Sequence, residues 1–359
     1  MYLEETVKTS KSMKVLVGIC LLAILTVILG LAGCGSSPTT STPAGTTPTT
    51  PATSTTPAQQ TFKIGLTQFA THPAADAGRQ GFKDALKDAG FVEGKNVTYD
   101  YQNPEGDLAM GTTIARKFVD EKVDMIFSFG TGVSQAAVNA TKGTTIPVLF
   151  CGVTDPVGAG LIKDFNHAGE NVTGTSDMIE VTSDLDLIKQ IVPNLTKLGT
   201  IYNAAEQNSV SLNDKLKTAA STMGITVVEK TVASSADVQL AAQSLVGQVD
   251  AVWIGTDNTV VSGLSALIKV TEDNKIPFFP SDDPSVKAGG IACLGFDYYD
   301  IGYQTGQMAV KILNGTPASQ VPTELGKKFS YTVNTKAAAI YGVTIPQSIL
   351  DKAITKYTE

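Results

Sequence analysis

From Phe62 onward the chain alternates short apolar, β-branched runs with amphipathic helical stretches, and this alternation constrains the fold more than any other feature. Phe62-Lys63-Ile64-Gly65-Leu66-Thr67 is the first run. The helix after it carries Phe82, Leu86 and Ala89 on one face, Lys83, Asp84, Lys87 and Asp88 on the other, and ends at Gly90. Strands are expected at Val97 to Tyr101, Asp124 to Phe129 and Ile146 to Cys151, with helices at Leu108 to Glu121 and Val133 to Ala140. Beyond Asn171 the pattern restarts. It gives helices at Ser183 to Ile191, Leu212 to Met223, Val238 to Val246, Val261 to Asp273 and Ile301 to Leu313, and strands at Leu198 to Tyr202, Ile225 to Val228, Ala251 to Gly255, Ile276 to Phe279 and Ile291 to Phe296. Repeated βα units with apolar strands imply parallel sheets covered on both faces. The restart implies two similar α/β lobes, and about 300 residues suffice for two cores.

What precedes Phe62 is of another kind. Lys8, Lys11 and Lys14 lead into an apolar run from Val15 to Ala32, closed by Leu31-Ala32-Gly33-Cys34. That layout resembles an export signal ending in a lipobox, with residues 1–33 as signal peptide and Cys34 as the lipidation site. The competing reading is an uncleaved membrane helix of about 18 residues, barely enough to span hydrocarbon. Met13 is an alternative start that leaves the argument unchanged. From 34 to 60 the lipidated cysteine is followed by Ser, Thr, Pro, Ala and Gly with no large apolar side chain, which reads as a disordered tether. The expected location is the extracytoplasmic face of the cell membrane.

The net charge of −7 and the lack of a Lys/Arg stripe exclude a nucleic-acid surface. Cys151 and Cys293 remain once Cys20 and Cys34 are set aside; they either pair or stay buried and free. His72 and His167 have no acidic residues at ligand spacing, so no metal site and no cofactor is expected. An enzyme is disfavoured: Gly130-Thr131-Gly132 lacks the third glycine of a dinucleotide fingerprint, and there is no Gly-x-Ser-x-Gly elbow.

In open α/β sheets ligands bind beyond the carboxyl ends of the strands. Those positions read Thr67-Gln68, Gln102-Asn103, Gly130-Thr131, Val153-Thr154-Asp155, Asn203, Thr256-Asp257-Asn258 and Ser281-Asp282-Asp283. Each alone is also an ordinary turn or N-cap residue. A ring of them over two lobes points to a cleft.

With Ile64-Gly65-Leu66-Thr67-Gln68, Tyr101-Gln102-Asn103, Val153-Thr154-Asp155-Pro156-Val157-Gly158-Ala159-Gly160-Leu161, Asn171-Val172-Thr173-Gly174, Glu206-Gln207-Asn208-Ser209, Thr256-Asp257-Asn258 and Phe296-Asp297-Tyr298-Tyr299-Asp300-Ile301-Gly302, the chain resembles the ABC-transporter substrate-binding lipoproteins of the tryptophan/tyrosine-binding type. The resemblance runs from Phe62 to Ser348. It implies a type I periplasmic-binding fold: two Rossmann-like lobes with parallel sheets joined by three crossovers and closing by a hinge. It places 61–175 with 290–320 in one lobe and 176–289 with 321–359 in the other, with crossovers in Asn171 to Asp177, Gly289 to Asp297 and Val321 to Phe329. It also implies an ABC permease and its ATPase as partners, a membrane attachment through the lipid, and a small ligand, an aromatic amino acid first. Pro104-Glu105 and Thr71-His72-Pro73 depart from the family pattern beside the cleft, which leaves the ligand within the family open.

An amino acid needs three kinds of partner. Thr131, Ser134 and Thr154, near helix N-termini, are expected at its carboxylate. Asp155, Asp257 and Asp282 are expected at its ammonium, while Gln68, Asn103, Asn208 and Asn258 orient it. Phe69, Phe129, Phe150, Tyr202 and Phe296 lie at strand ends, as ring walls or as core. His72 is a cleft residue or a solvated loop histidine, and Trp253 is core. A sensory lipoprotein with the same cleft is the alternative function; sugars and nucleosides are disfavoured because no tryptophan is expected at the cleft.

Overall fold

A computed structural model of the chain describes residues 61–166 and 169–358; the leader, Cys34, the linker and His167 lie outside the described residues. Among the described residues no helix is long and apolar enough to cross a membrane. The first lobe is built from β1 (Phe62–Gln68), α1 (Pro73–Asp88), β2 (Val97–Gln102), α2 (Leu108–Asp120), β3 (Met125–Phe129), α3 (Thr131–Ala140), β4 (Val148–Cys151) and β5 (Val172–Ser176). Every residue of β3, β4 and β5 is buried, as a parallel sheet sandwiched between helices requires. The chain then enters the second lobe with α4 (Val181–Ile191), β6 (Lys197–Tyr202), α5 (Gln207–Thr222), β7 (Thr226–Thr231), α6 (Val238–Gln243), β8 (Ala251–Ile254), α7 (Asn258–Ser262), α8 (Leu264–Asp273), β9 (Phe278–Pro280), α9 (Asp283–Ala288) and β10 (Ala292–Phe296). It returns through α10 (Tyr298–Leu313) and β11 (Glu324–Leu325), and finishes with β12 (Phe329–Asn334), α11 (Thr335–Tyr341), α12 (Gln347–Leu350) and β13 (Ala353–Tyr357).

Strand order in the first sheet is β11-β5-β4-β3-β1-β2, and in the second lobe β7-β6-β8-β9, with β10-β12-β13 as a further sheet. All neighbours are parallel except β10 and β12. Two stretches differ from the sequence-based division. Residues 290–296 go with the second lobe, because β10 pairs with β12 and Ile291 N–H donates to Phe278 O. Residues 321–325 go with the first, because β11 pairs with β5 and Val321 O accepts from the Thr173 hydroxyl. The three crossings adjoin: Gly326 N–H donates to Ser176 O, and the Tyr298 hydroxyl donates to Asp177.

α10 lies against α1 so closely that a Cβ on Gly302 would sit 1.8 Å from the Gly78 carbonyl oxygen, and one on Gly81 would sit 2.1 Å from that of Tyr299. Glycine is what permits this approach. The single helix expected over Val261 to Asp273 is two, broken at Gly263, where a Cβ would lie 2.7 Å from Ser235 O. α5 and α3 start earlier than the apolar pattern indicates, at Gln207 and Thr131; in α5 the polar first turn is buried against its own lobe, where Asn208 donates to Thr256 O and the Ser209 hydroxyl to Asp257. Cys151 and Cys293 are buried and free.

Candidate functional site

The carboxyl ends of the strands from both lobes converge on one cavity. His72, Phe129, Gly152 and Asp177 come from the first lobe, Thr256, Asp257, Asn258 and Asp282 from the second, and Tyr298 from the crossing after β10. The space left is about 20 Å³, room for about one water molecule, so the lobes are shut. A ligand of amino-acid size enters only when they part.

Among the described residues three hydrogen bonds bridge the lobes. His72 Nε2 lies 3.2 Å from Asn258 Oδ1, Thr154 Oγ1 lies 2.8 Å from Thr256 Oγ1, and the Ser211 hydroxyl donates to Asp155 Oδ2 at 2.9 Å. His72 is the N-cap of α1: its Nδ1 accepts from Ala75 N–H, so in the neutral ring the hydrogen sits on Nε2 and points at Asn258. Burial holds its pKa below the usual histidine range, outweighing its hydrogen bond to Asn258 and the charges of Glu206 and Asp76.

Three buried carboxylates face the cavity, and none is ion-paired to a Lys or Arg among the described residues. They are not equivalent. Asp257 caps α7 through Val260 N–H at 2.7 Å, and its other oxygen accepts from Asn203 N–H and the Ser209 hydroxyl, both at 2.6 Å. Asp282 caps α9 through Ser285 N–H and accepts the Ser285 hydroxyl. Asp177 caps nothing; it accepts from the hydroxyls of Tyr298, 2.6 Å, and Thr154, 3.0 Å. Burial raises all three pKa values, that of Asp282 to about 6, and for Asp257 the neighbouring Glu206 charge adds to it. A cavity with this much negative charge and no internal cation favours a positively charged guest.

Outside the cavity lining but next to Asn258, α3 (Thr131–Ala140) starts after Gly130 without a side-chain cap. Gly130 has φ +94°, and a Cβ there would meet Phe69 at 3.4 Å and Asn258 Oδ1 at 3.5 Å. The buried Thr131 hydroxyl has no hydrogen-bond partner among the described residues. Uncapped N–H groups at a helix start favour an anion. One wall of the cavity is aromatic: Phe129 packs edge-on against both His72 and Tyr298, with ring centroids 6.1 and 5.6 Å apart.

Of the residues expected from sequence, His72, Asp257, Asn258 and Asp282 line the cavity, and Thr154 reaches it through Asp177 and Thr256. The others lie elsewhere. Ser134 is spent on Ser128 and the Gly130 carbonyl; Gln68 is tied to Ala70 O, Asp76 and Arg79 inside the first lobe. Asn103 is bound up with Thr71, Tyr101 and Glu105 in an outer loop. Asp155 caps its own turn at Gly158 N–H and meets Ser211 at the rim. Tyr202 points to Glu229, and Phe296 packs on Phe329 beside the crossings. Asn208 donates to Thr256 O behind the cleft, leaving its buried Oδ1 without a partner. Trp253 is core, its indole N–H on Asp184. Asp177 and Tyr298 were missed as site residues, although Asp177 directly follows β5 and obeys the strand-end rule that found the others.

Residues 63–356 match the family of ABC transporter substrate binding proteins. The chain belongs to that family. A tyrosine-binding protein of Clostridioides difficile is 40% identical over 267 residues, which cover 74% of this chain and 77% of the relative. The structure of an ABC domain of Streptococcus pneumonia in complex with L-Trp superposes with a TM-score of 0.79 at 33% identity, covering 83% of this chain and 100% of that one. The ligand-free, open structure of a substrate binding protein with adhesive properties from Clostridium difficile covers the same shares at 40% identity, yet its TM-score is 0.62. The more identical protein superposes worse, as expected if lobe angle rather than sequence separates them. The two-lobed architecture is the type I periplasmic-binding fold, and the chain is an extracytoplasmic solute-binding protein of an ABC system.

Proposed function

We propose that this protein captures an aromatic L-amino acid between its lobes and delivers it to an ABC permease and its ATPase, held at the membrane by a lipid on Cys34. The observation that carries the reading is the lining of the cavity: buried carboxylates with no Lys or Arg partner among the described residues beside the Phe129, His72 and Tyr298 rings, with the uncapped start of α3 and its unpartnered Thr131 hydroxyl adjoining Asn258. A zwitterion with a flat apolar side chain fits that arrangement: ammonium at Asp177, carboxylate at Thr131 and the α3 amides, ring against Phe129. Asp257 and Asp282 add field but have their oxygens engaged as caps. The two relatives named for tyrosine and L-Trp support the ligand class.

A thermal-shift screen against the twenty amino acids, with ribose, inositol and adenosine alongside, tests this. Ligand at 100 times its dissociation constant adds about 2.7 kcal/mol of stability. L-Tyrosine or L-tryptophan should raise the melting temperature and the corresponding amine-free acids should not; a response to the sugars or nucleoside alone overturns the reading.

A further inference from the structure

We propose that Glu206, Asn258 and His72 form a latch across the cleft, and that its opening sets the rate at which bound ligand leaves. The inference rests on the reading of this cleft as the ligand site, but the latch is made of protein groups alone.

Glu206 stands just before α5 and is buried. Its Oε1 accepts from the N–H and hydroxyl of Thr259, at 2.9 and 2.7 Å; its Oε2 accepts from the N–H and side-chain amide of Asn258, at 3.1 and 2.6 Å. The carboxylate therefore fixes which way the Asn258 amide faces: nitrogen toward Glu206, oxygen toward the other lobe. On that lobe Ala75 N–H fixes the His72 tautomer, so Nε2 carries the hydrogen that Asn258 Oδ1 receives. Pro73 at the first position of α1 and the close contact of α1 with α10 hold the ring in place.

Each half is oriented by its own lobe, and the bond exists only when the lobes meet. In an open cleft both partners are wetted, so breaking the bond destabilises the closed state and leaves capture by the open state untouched. The other two bridges are weaker restraints: the Thr154 and Thr256 hydroxyls rotate, and Asp155 sits at the partly exposed rim. Glu206 and Asn258 act here as positioning residues.

The test uses full-length protein in detergent micelles and stopped-flow release of L-tryptophan and L-tyrosine. His72→Asn keeps a good N-cap for α1 but is too short to reach Asn258; His72→Gln keeps an N–H donor at nearly the same reach. An unpaired buried carbonyl predicts roughly tenfold to a hundredfold faster release in His72→Asn. His72→Gln should recover most of the loss. Release within twofold of wild type in His72→Asn, or a His72→Gln variant no better than His72→Asn, overturns the latch.

If wild-type protein binds neither amino acid, the ligand assignment fails, and the latch is read without ligand from spin labels at Lys142→Cys and Lys215→Cys on the two lobes. His72→Asn should then deplete the short-distance population several-fold. An unchanged distribution overturns it.

Discussion

Asp177→Asn separates ligand binding from stability. The side chain lies at the first crossing, is fully buried, and takes one hydroxyl on each oxygen, Tyr298 at 2.6 Å and Thr154 at 3.0 Å. Asparagine has the same shape and needs no cation. Its oxygen still accepts one hydroxyl, and its amide can donate to the other. In the unliganded closed protein the substitution removes a buried negative charge without a salt-bridge partner, so the melting temperature at pH 8 should hold or rise. With ligand, the ammonium loses its charged partner in a desolvated site, which costs about 2–5 kcal/mol. We expect affinity to fall about a hundredfold, about 2.8 kcal/mol at 1.4 kcal/mol per decade. Asp257→Ala is the contrast. It strips the α7 cap and leaves Val260 N–H and Asn203 N–H buried without acceptors, each worth about 1–3 kcal/mol, so melting temperature and affinity should fall together. Isothermal titration and thermal melts of both variants decide. Affinity within threefold of wild type in a folded Asp177→Asn protein would refute the ammonium site at Asp177.

Ligand affinity should rise between pH 5 and 8. Burial lifts the Asp282 pKa to about 6, and a raised carboxylate pKa gives stability that is complete below the unfolded value near 4 and lost as pH passes 6. An ammonium favours the ionised form, so its binding expels protons, with up to about tenfold in affinity per pH unit for one proton; titrations in buffers of different ionisation enthalpy count them, and a flat profile would contradict the mechanism. Gly302→Ala should force α10 off α1, since the new Cβ meets a backbone oxygen that cannot swing aside. The cost is about 1–3 kcal/mol, read as a melting temperature several degrees lower; an unchanged melt would mean that the helices part freely. Cys34→Ser should leave the protein unprocessed or released from membranes on fractionation, and a membrane-bound mature species would rule out the lipid anchor.

The alternation of strands and helices was legible because burial in a covered parallel sheet demands unbroken apolar runs, such as Met125–Phe129 and Val148–Cys151, and nothing distant alters that demand. The strand-end rule likewise pointed to Asp257, Asn258 and Asp282, which line the cavity. The start of α5 was placed too late, at Leu212, because Asn208 and Ser209 are polar and are buried only through their bonds to Thr256 O and Asp257, which lie 48 residues away. The β10–β12 pairing, which moved residues 290–296 across the hinge, joins segments that carry no pattern announcing each other.

Roles inside the cleft belong to the tertiary structure alone. Asp155, Asp177, Asp257 and Asp282 are the same residue type at the same kind of position, just past a strand. Whether each becomes a cap, a turn or a free acid depends on which N–H and O–H groups fall within about 3 Å. For Asp257 those include Asn203 and Ser209, 54 and 48 residues away; for Asp177, Tyr298 is 121 residues away. The sequence by itself determined two α/β lobes and the edge on which a ligand sits, because periodicity and burial are local. Which acid is left for the ligand, and which amide meets His72 across the gap, were decided when the lobes came together.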